Sequence, residues 1–237
     1  MSTTGARVPA LAWVGSGTTS LLTELDALPD DALDGPTTLR GWTRRHLLAH
    51  VASNAEALQR LVSWARTGVE SRMYSSSEQR ARDIEAGSHR TAADLRRWVR
   101  SSAAALAADL DGLDESAWTA EVVTAQGRTV PATEIPWMRA REVQIHTVDL
   151  DTGRDFAELP RDFLVALLAD VTTKRSGAAD GPALALHPED DSGATWTVSG
   201  DGDPVDVTGP LADLAAWLTG RPHTLRQPGL PGLPRWL

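Results

Sequence analysis

Apolar residues recur at helical spacing over four long stretches of this chain, and at strand-like spacing mainly near its end. From about Pro9 to Leu28, the positions Leu11, Val14, Leu21, Leu22, Leu25 and Leu28 predict a first helix, weakened in its middle by Gly15 and Gly17. The run Leu28-Pro-Asp-Asp-Ala-Leu-Asp-Gly-Pro then reads as a loop. Thr43 suits an N-cap, and the helix it opens runs to Gly68 as its stop, with Leu47, Val51, Ala55, Leu58, Val62 and Ala65 as its core stripe. A serine-capped loop and a short helix fill residues 73–87. A third long helix starts near Thr91 and turns Leu95, Trp98, Val99, Ala103, Leu106 and Leu110 inward. Residues 121–130 predict an extended excursion or small hairpin around Gln126-Gly127.

The fourth helix, over residues 133–149, carries an unusual face. Pro136 is acceptable only in its first turn, where the missing N–H does no harm. Glu142 and His146 lie four residues apart and so project from one side, with Met138 and Asp149, on or beside the apolar stripe of Ile135, Met138 and Ile145. Such groups are costly to bury unpaired. A bound divalent metal accepts both; an i, i+4 side-chain pair also accounts for them. On the second helix His50 falls beside the core stripe, Asn54 nearer its centre and His46 further out. Taken alone, His50 reads as a histidine bonded to a core carbonyl. Taken with Glu142 and His146, it completes a His/Glu/His set that leaves a fourth metal position for a ligand. Asp149, one turn past His146, either orients a ligating imidazole or caps a solvated helix end.

Beyond about residue 155 the pattern changes. One more amphipathic segment from Leu159 turns Phe163, Leu164, Leu167, Leu168 and Val171 inward, and β-rich runs follow at 183–186, 195–198 and 205–207. A last helix over Leu211–Leu218 precedes a Pro/Gly-rich tail. The prediction is an α+β chain: an antiparallel four-helix bundle over residues 1–155 and a small α/β domain over 156–237, with the boundary at Gly153-Arg-Asp-Phe-Ala-Glu-Leu-Pro160. Gly200-Asp-Gly202 is followed by Pro204 and a strand-like run, so it predicts a hairpin turn and no nucleotide loop.

Composition narrows the chemistry. A net charge of −9 over 237 residues argues against a nucleic-acid surface. The absence of cysteine excludes disulfides, zinc thiolates from the chain and a cysteine nucleophile, so thiol chemistry needs a thiol from outside. The N-terminal residues lack the apolar run of a signal peptide, and no stretch approaches the roughly 20 apolar residues that span a bilayer, so the expected location is cytoplasmic, with no membrane partner. A Gly-x-Ser-x-Gly elbow is missing, and Arg141-Glu-Val-Gln-Ile-His146 lacks the first histidine of the zinc-protease motif.

Several stretches resemble the mycothiol-dependent maleylpyruvate isomerases: Gly41-Trp-Thr-Arg-Arg-His-Leu-Leu-Ala-His50-Val-Ala-Ser-Asn-Ala, Trp64-Ala-Arg-Thr-Gly68, Met73-Tyr, Thr124-Ala-Gln-Gly-Arg-Thr-Val-Pro131, Trp137 to Leu150, and the final Pro-Arg-Trp-Leu. The likeness is looser over about 155–230. It implies a DinB-like metal-binding bundle joined to an α/β domain, zinc held by His50, Glu142 and His146, and Arg80 as the arginine of the active site, with Arg82 two residues on as the alternative. It also implies mycothiol as the thiol and conversion of maleylpyruvate to fumarylpyruvate in gentisate breakdown. On the mechanism this resemblance implies, the sulfur would sit at the open zinc position and add reversibly to the double bond. A mycothiol S-transferase acting on another electrophile, and a non-catalytic metal-binding protein of the same fold, are the alternative readings.

Overall fold

The structure, a computed structural model, describes residues 3–178, 180–190 and 193–236. The chain divides into two compact units between Gly153 and Arg154.

The first unit contains α1 (Thr3–Ala27), α2 (Arg44–Thr67), α3 (Ser77–Ser88), α4 (Ala92–Asp111), a single turn α5 (Glu115–Trp118), the antiparallel hairpin β1 (Glu121–Val123) and β2 (Thr129–Pro131), and α6 (Ile135–Asp149). Helix ends follow the capping chemistry. Ser76 and Thr91 accept the backbone N–H of Gln79 and Asp94, and Gly68 closes α2 in the left-handed region (φ 72°) while donating to Trp64 O at 2.8 Å. Helix α1 begins at Thr3, ahead of Pro9, a start the sequence does not mark because Thr3 to Arg7 carry no apolar period. Gly17 explains the weak middle of α1: a Cβ there falls 2.7 Å from Val143 Cγ2, so the glycine lets α1 press against α6. On α4 Leu95, Val99, Leu106 and Leu110 are buried as expected, whereas between them it is Ser102 that is buried and Ala103 is half-buried beside it.

Contacts give the helix directions. Arg44 at the start of α2 donates to Leu150 O just past α6 (2.6 Å), whereas Arg139 early in α6 reaches Asn54 farther along α2, so these two run antiparallel. Helices α1 and α6 run together, Trp13 against Trp137 and Gly17 against Gln144. So do α2 and α4, through Glu56 with Trp98 and Gln59 with Asp109. Helix α3 takes the return leg, with Arg80 beside His50 and Glu85 beside His46, which is why α4 can follow α2 in the same direction.

Two apolar clusters fill this unit. One gathers Leu58, Leu61, Val62, Leu106, Leu110, Trp118 and Ile135; the other gathers Leu21, Leu25, Leu47, Leu48, Val51, Leu95 and Val99. Where α2 passes from one cluster to the other, three of its buried residues are polar: His50, Ser53 and Asn54. The site lies at that level.

The second unit comprises a 3-10 turn (Phe156–Glu158), α7 (Arg161–Ala178), β3 (Pro182–Pro188), β4 (Trp196–Val198), β5 (Asp201–Gly209) and α8 (Leu211–Leu218). Its sheet has the order β4-β3-β5, with β4 antiparallel and β5 parallel to β3. The turn at Gly200-Asp-Gly202 is therefore no hairpin. It carries the chain from one side of β3 to the other across the start of that strand, and a Cβ on Gly200 falls 2.2 Å from Gly181 O, so only glycine fits the crossing. Arg175 of α7 donates to Leu218 O at 2.6 Å and to Pro234 O at 3.2 Å, tying down the tail. No helix among the described residues is long and apolar enough to cross a membrane.

Candidate metal centre

Helical spacing on α6 puts Glu142, His146 and Asp149 on one face, and that face meets His50 on the antiparallel α2. Glu142 Oε2 lies 2.8 Å from His50 Nε2 and 3.1 Å from His146 Nε2. The two imidazoles stand edge to face, their centroids 5.0 Å apart. One ligand atom from each of His50, Glu142 and His146 lies within 4.8 Å of the others, close enough to share one ion.

The far ring nitrogens are occupied. His146 Nδ1 is 2.8 Å from Asp149 Oδ2, and the fully buried Asp149 accepts a further hydrogen bond from Thr38 Oγ1 at 2.5 Å. A carboxylate only accepts, so Nδ1 carries a proton, and Nε2 is the nitrogen turned toward Glu142. Asp149 is thus a buried partner of His146 and no solvated helix end. On His50, Nδ1 faces Arg80 Nη2 at 3.3 Å, and Nε2 faces Glu142.

These contacts set the charges. Burial pushes His50 below its ordinary value despite the pull of Glu142. Burial acts the same way on His146, but hydrogen bonds to Asp149 and Glu142 outweigh it and raise the imidazole to about 8. Burial alone raises the Glu142 carboxyl; the two histidines override it and hold the group well below the usual carboxylate range. The cluster brings two imidazole nitrogens and an anionic oxygen to one point, held together without a metal by imidazole N–H groups that donate to Glu142, and a cation that takes the place of those protons is shared by the same three groups. Two imidazoles and a carboxylate suit zinc and leave a coordination position open. With 26% of the Glu142 side chain accessible against 5% for His50, the opening lies on the carboxylate side.

The two arginines at the start of α3 part company. Arg80 is the one beside His50; Arg82 turns away and donates to Gln79 Oε1 at 2.9 Å on an exposed face. His46 also stays outside the cluster. Its Nδ1 accepts the Thr43 N–H at 3.3 Å, capping α2, and its Nε2 is 3.3 Å from Glu85.

Comparison with known families matches residues 14–151 to the mycothiol maleylpyruvate isomerase N-terminal domain and residues 158–232 to the MDMPI C-terminal domain. The chain belongs to the mycothiol maleylpyruvate isomerase family. Two solved structures resemble it over 97% of each chain, at 38% identity and a TM-score of 0.92: a crystal structure of the mycothiol-dependent maleylpyruvate isomerase, and one of a mutant in which a histidine is replaced by alanine. Comparison with curated proteins finds no match.

In this member of the isomerase family, sequence reasoning missed the residues that frame the cluster. Trp42 packs edge-on against His50, centroids 5.4 Å apart. Arg139, only 1% exposed, donates Nη1 to Val51 O (2.8 Å) and Asn54 Oδ1 (2.9 Å) directly behind His50, while its Nη2 finds no hydrogen-bond partner among the described residues. Burial lowers this guanidinium to about 10. Asn54 near the centre of an apolar stripe was the one sequence signal for such a partner. Tyr74 approaches Arg80 and Ser53, and nothing in its local sequence points there.

Proposed function

We propose that this protein catalyses the mycothiol-dependent cis-trans isomerisation of maleylpyruvate to fumarylpyruvate in the cytoplasm, with His50, Glu142 and His146 holding zinc and Arg80 as the catalytic arginine. The observation that carries this reading is the convergence of two imidazoles and a carboxylate from facing helices, in a member of the isomerase family that has no cysteine of its own. A zinc ion held there supplies a Lewis acid that keeps a thiol at its open position in the thiolate form near neutral pH. Small molecules, substrate and mycothiol, are the partners; the domains carrying this work are the bundle, read as residues 1–155, and the α/β part that follows.

The chain's own residues then prepare the site. Asp149 holds the proton of His146 on Nδ1, so that Nε2 stays directed inward; Thr38 in turn orients Asp149. Trp42 packs against the imidazole of His50 and contributes to its burial. The substrate's cis double bond becomes single when sulfur adds to it, and the electron pair moves onto the neighbouring carbonyl oxygen. Rotation and loss of the thiol give the trans isomer with no net change in atoms. Arg80 is placed to hold that oxygen or a substrate carboxylate through its fork of donors, an interaction that strengthens as water is excluded. Its fixed charge also draws a dianion toward an acidic protein.

The test is incubation of the purified, zinc-loaded protein with maleylpyruvate, with and without mycothiol, following the product's absorbance. Fumarylpyruvate forms only with the thiol present. Zinc-loaded protein that leaves maleylpyruvate unchanged in the presence of mycothiol rules the reading out.

A further inference from the structure

Tyr74 is the only tyrosine among 237 residues, and the fold sets it beside Arg80, the arginine next to His50. The segment between α2 and α3 is held from beneath: Met73 is buried in an apolar cluster, and Arg60 donates to its carbonyl at 2.6 Å. Tyr74 itself packs, partly buried, against the same cluster. The Arg80 guanidinium lies 5.9 Å from the Tyr74 ring centroid and its Nη2 lies 3.3 Å from His50 Nδ1, and the phenol approaches Ser53, one turn past His50 on α2. Burial, reinforced by the nearby charge of Glu142, keeps this phenol in its O–H form. A donor hydroxyl and a guanidinium thus stand side by side at the partly accessible edge of the triad.

We propose that the Tyr74 hydroxyl is a second catalytic hydrogen-bond donor, which with Arg80 holds the oxygen that becomes anionic when the substrate's double bond is opened. The inference rests on the isomerase reading above. During addition the C–S bond forms as the π pair shifts to the carbonyl oxygen, and Tyr74 donates a hydrogen bond to that oxygen without giving up its proton. Elimination returns the pair to carbon, so the phenol ends as it began. Arg80 alone holds an anion from one side; a neutral donor beside it fixes the orientation of the oxygen.

Two measurements on the zinc- and mycothiol-loaded protein decide the matter. Tyr74→Phe removes one oxygen and keeps the ring. Turnover of maleylpyruvate is expected to fall about 100-fold, within the range for loss of one preorganised donor, while zinc content and mycothiol binding stay at wild-type levels. Because the chain has a single tyrosine, labelling tyrosine with carbon-13 at Cζ gives one protein signal. A saturated keto-dicarboxylate, unable to react, is expected to move that signal in wild-type protein. Wild-type turnover in Tyr74→Phe overturns the proposal, and so does a tyrosine signal that ignores the dicarboxylate, whatever the variant's turnover or folding. Wild-type protein that itself fails to isomerise maleylpyruvate refutes the parent reading instead, and the two failures are thereby told apart.

Discussion

The Nδ1 of His146 sits 2.8 Å from a carboxylate oxygen of Asp149 that no water reaches. This contact decides which nitrogen of His146 faces Glu142, the nitrogen that the proposed metal would take. Asp149→Ala is expected to leave the three ligands in place and weaken zinc binding by about 10- to 100-fold. Competition against a chromophoric chelator measures this, and unchanged affinity removes Asp149 from the site.

Ligands and arginine separate by what each variant loses. His50→Ala, Glu142→Ala and His146→Ala are expected to lose metal and turnover together, whereas Arg80→Ala keeps full zinc occupancy and loses most turnover. His46→Ala, whose ring caps α2, keeps both, at a stability cost of about 1 kcal/mol. Metal analysis beside the isomerase assay checks all five; full zinc in every ligand variant rejects the assignment.

Zinc must displace a proton from His146, which the metal-free site holds up to about pH 8. Apparent zinc affinity is expected to rise with pH through about 8 and then level off, with proton release visible by calorimetry in buffers of different ionisation heat. The same shift affects metal-free stability. A raised imidazole contributes stability that is complete below the unfolded value of about 6.5 and lost as pH rises through about 8, here about 2 kcal/mol. His50, held low, acts in the opposite sense, but its contribution disappears as pH falls below 6.5 and so leaves the upper window to His146. Denaturation of metal-free protein between pH 6.5 and 8.5 tests the sign.

Arg139 ties α6 to the turn of α2 behind His50. Its replacement by alanine removes charged hydrogen bonds, strands Asn54 and opens a cavity, with an expected cost of about 3 kcal/mol in urea unfolding. Asn54→Ala costs about 1 kcal/mol, since the bond to Val51 O survives.

The neighbouring glycines of α1 differ in sign. A Cβ on Gly15 meets nothing within 4 Å, so Gly15→Ala is expected to stabilise by about 0.5–1 kcal/mol through helix propensity. On Gly17 the added carbon lies 2.7 Å from the stiff Val143 side chain, and overpacking of about 1–3 kcal/mol outweighs that gain. Thermal unfolding of the two variants reads the contrast directly.

The periodicity that predicts α2 also placed Leu47, Val51, Leu58 and Val62 inward, and all are fully buried. Caps at Ser76 and Thr91 and the stop at Gly68 were equally legible, because a cap is a contact between residues three or four apart. Strand order was not. Whether β4 joins β5 or both flank β3 depends on pairings between distant segments, and the local glycine pattern at 200–202 is compatible with either.

From sequence alone came the elements, the column of Glu142, His146 and Asp149 on one face, the need for an outside thiol, and the resemblance that named a family. The elements and the column follow from neighbours a turn or less apart, the outside thiol from composition, and the resemblance from whole shared segments. Tertiary structure decided that His50 meets that column across 92 residues, that Asp149 is buried under Thr38, that Arg80 rather than Arg82 faces inward, and that Arg139 and Tyr74 stand nearby. The reason is physical: helical phase fixes which side a residue faces, whereas what it faces is set by how whole helices pack, and no local interaction carries that information.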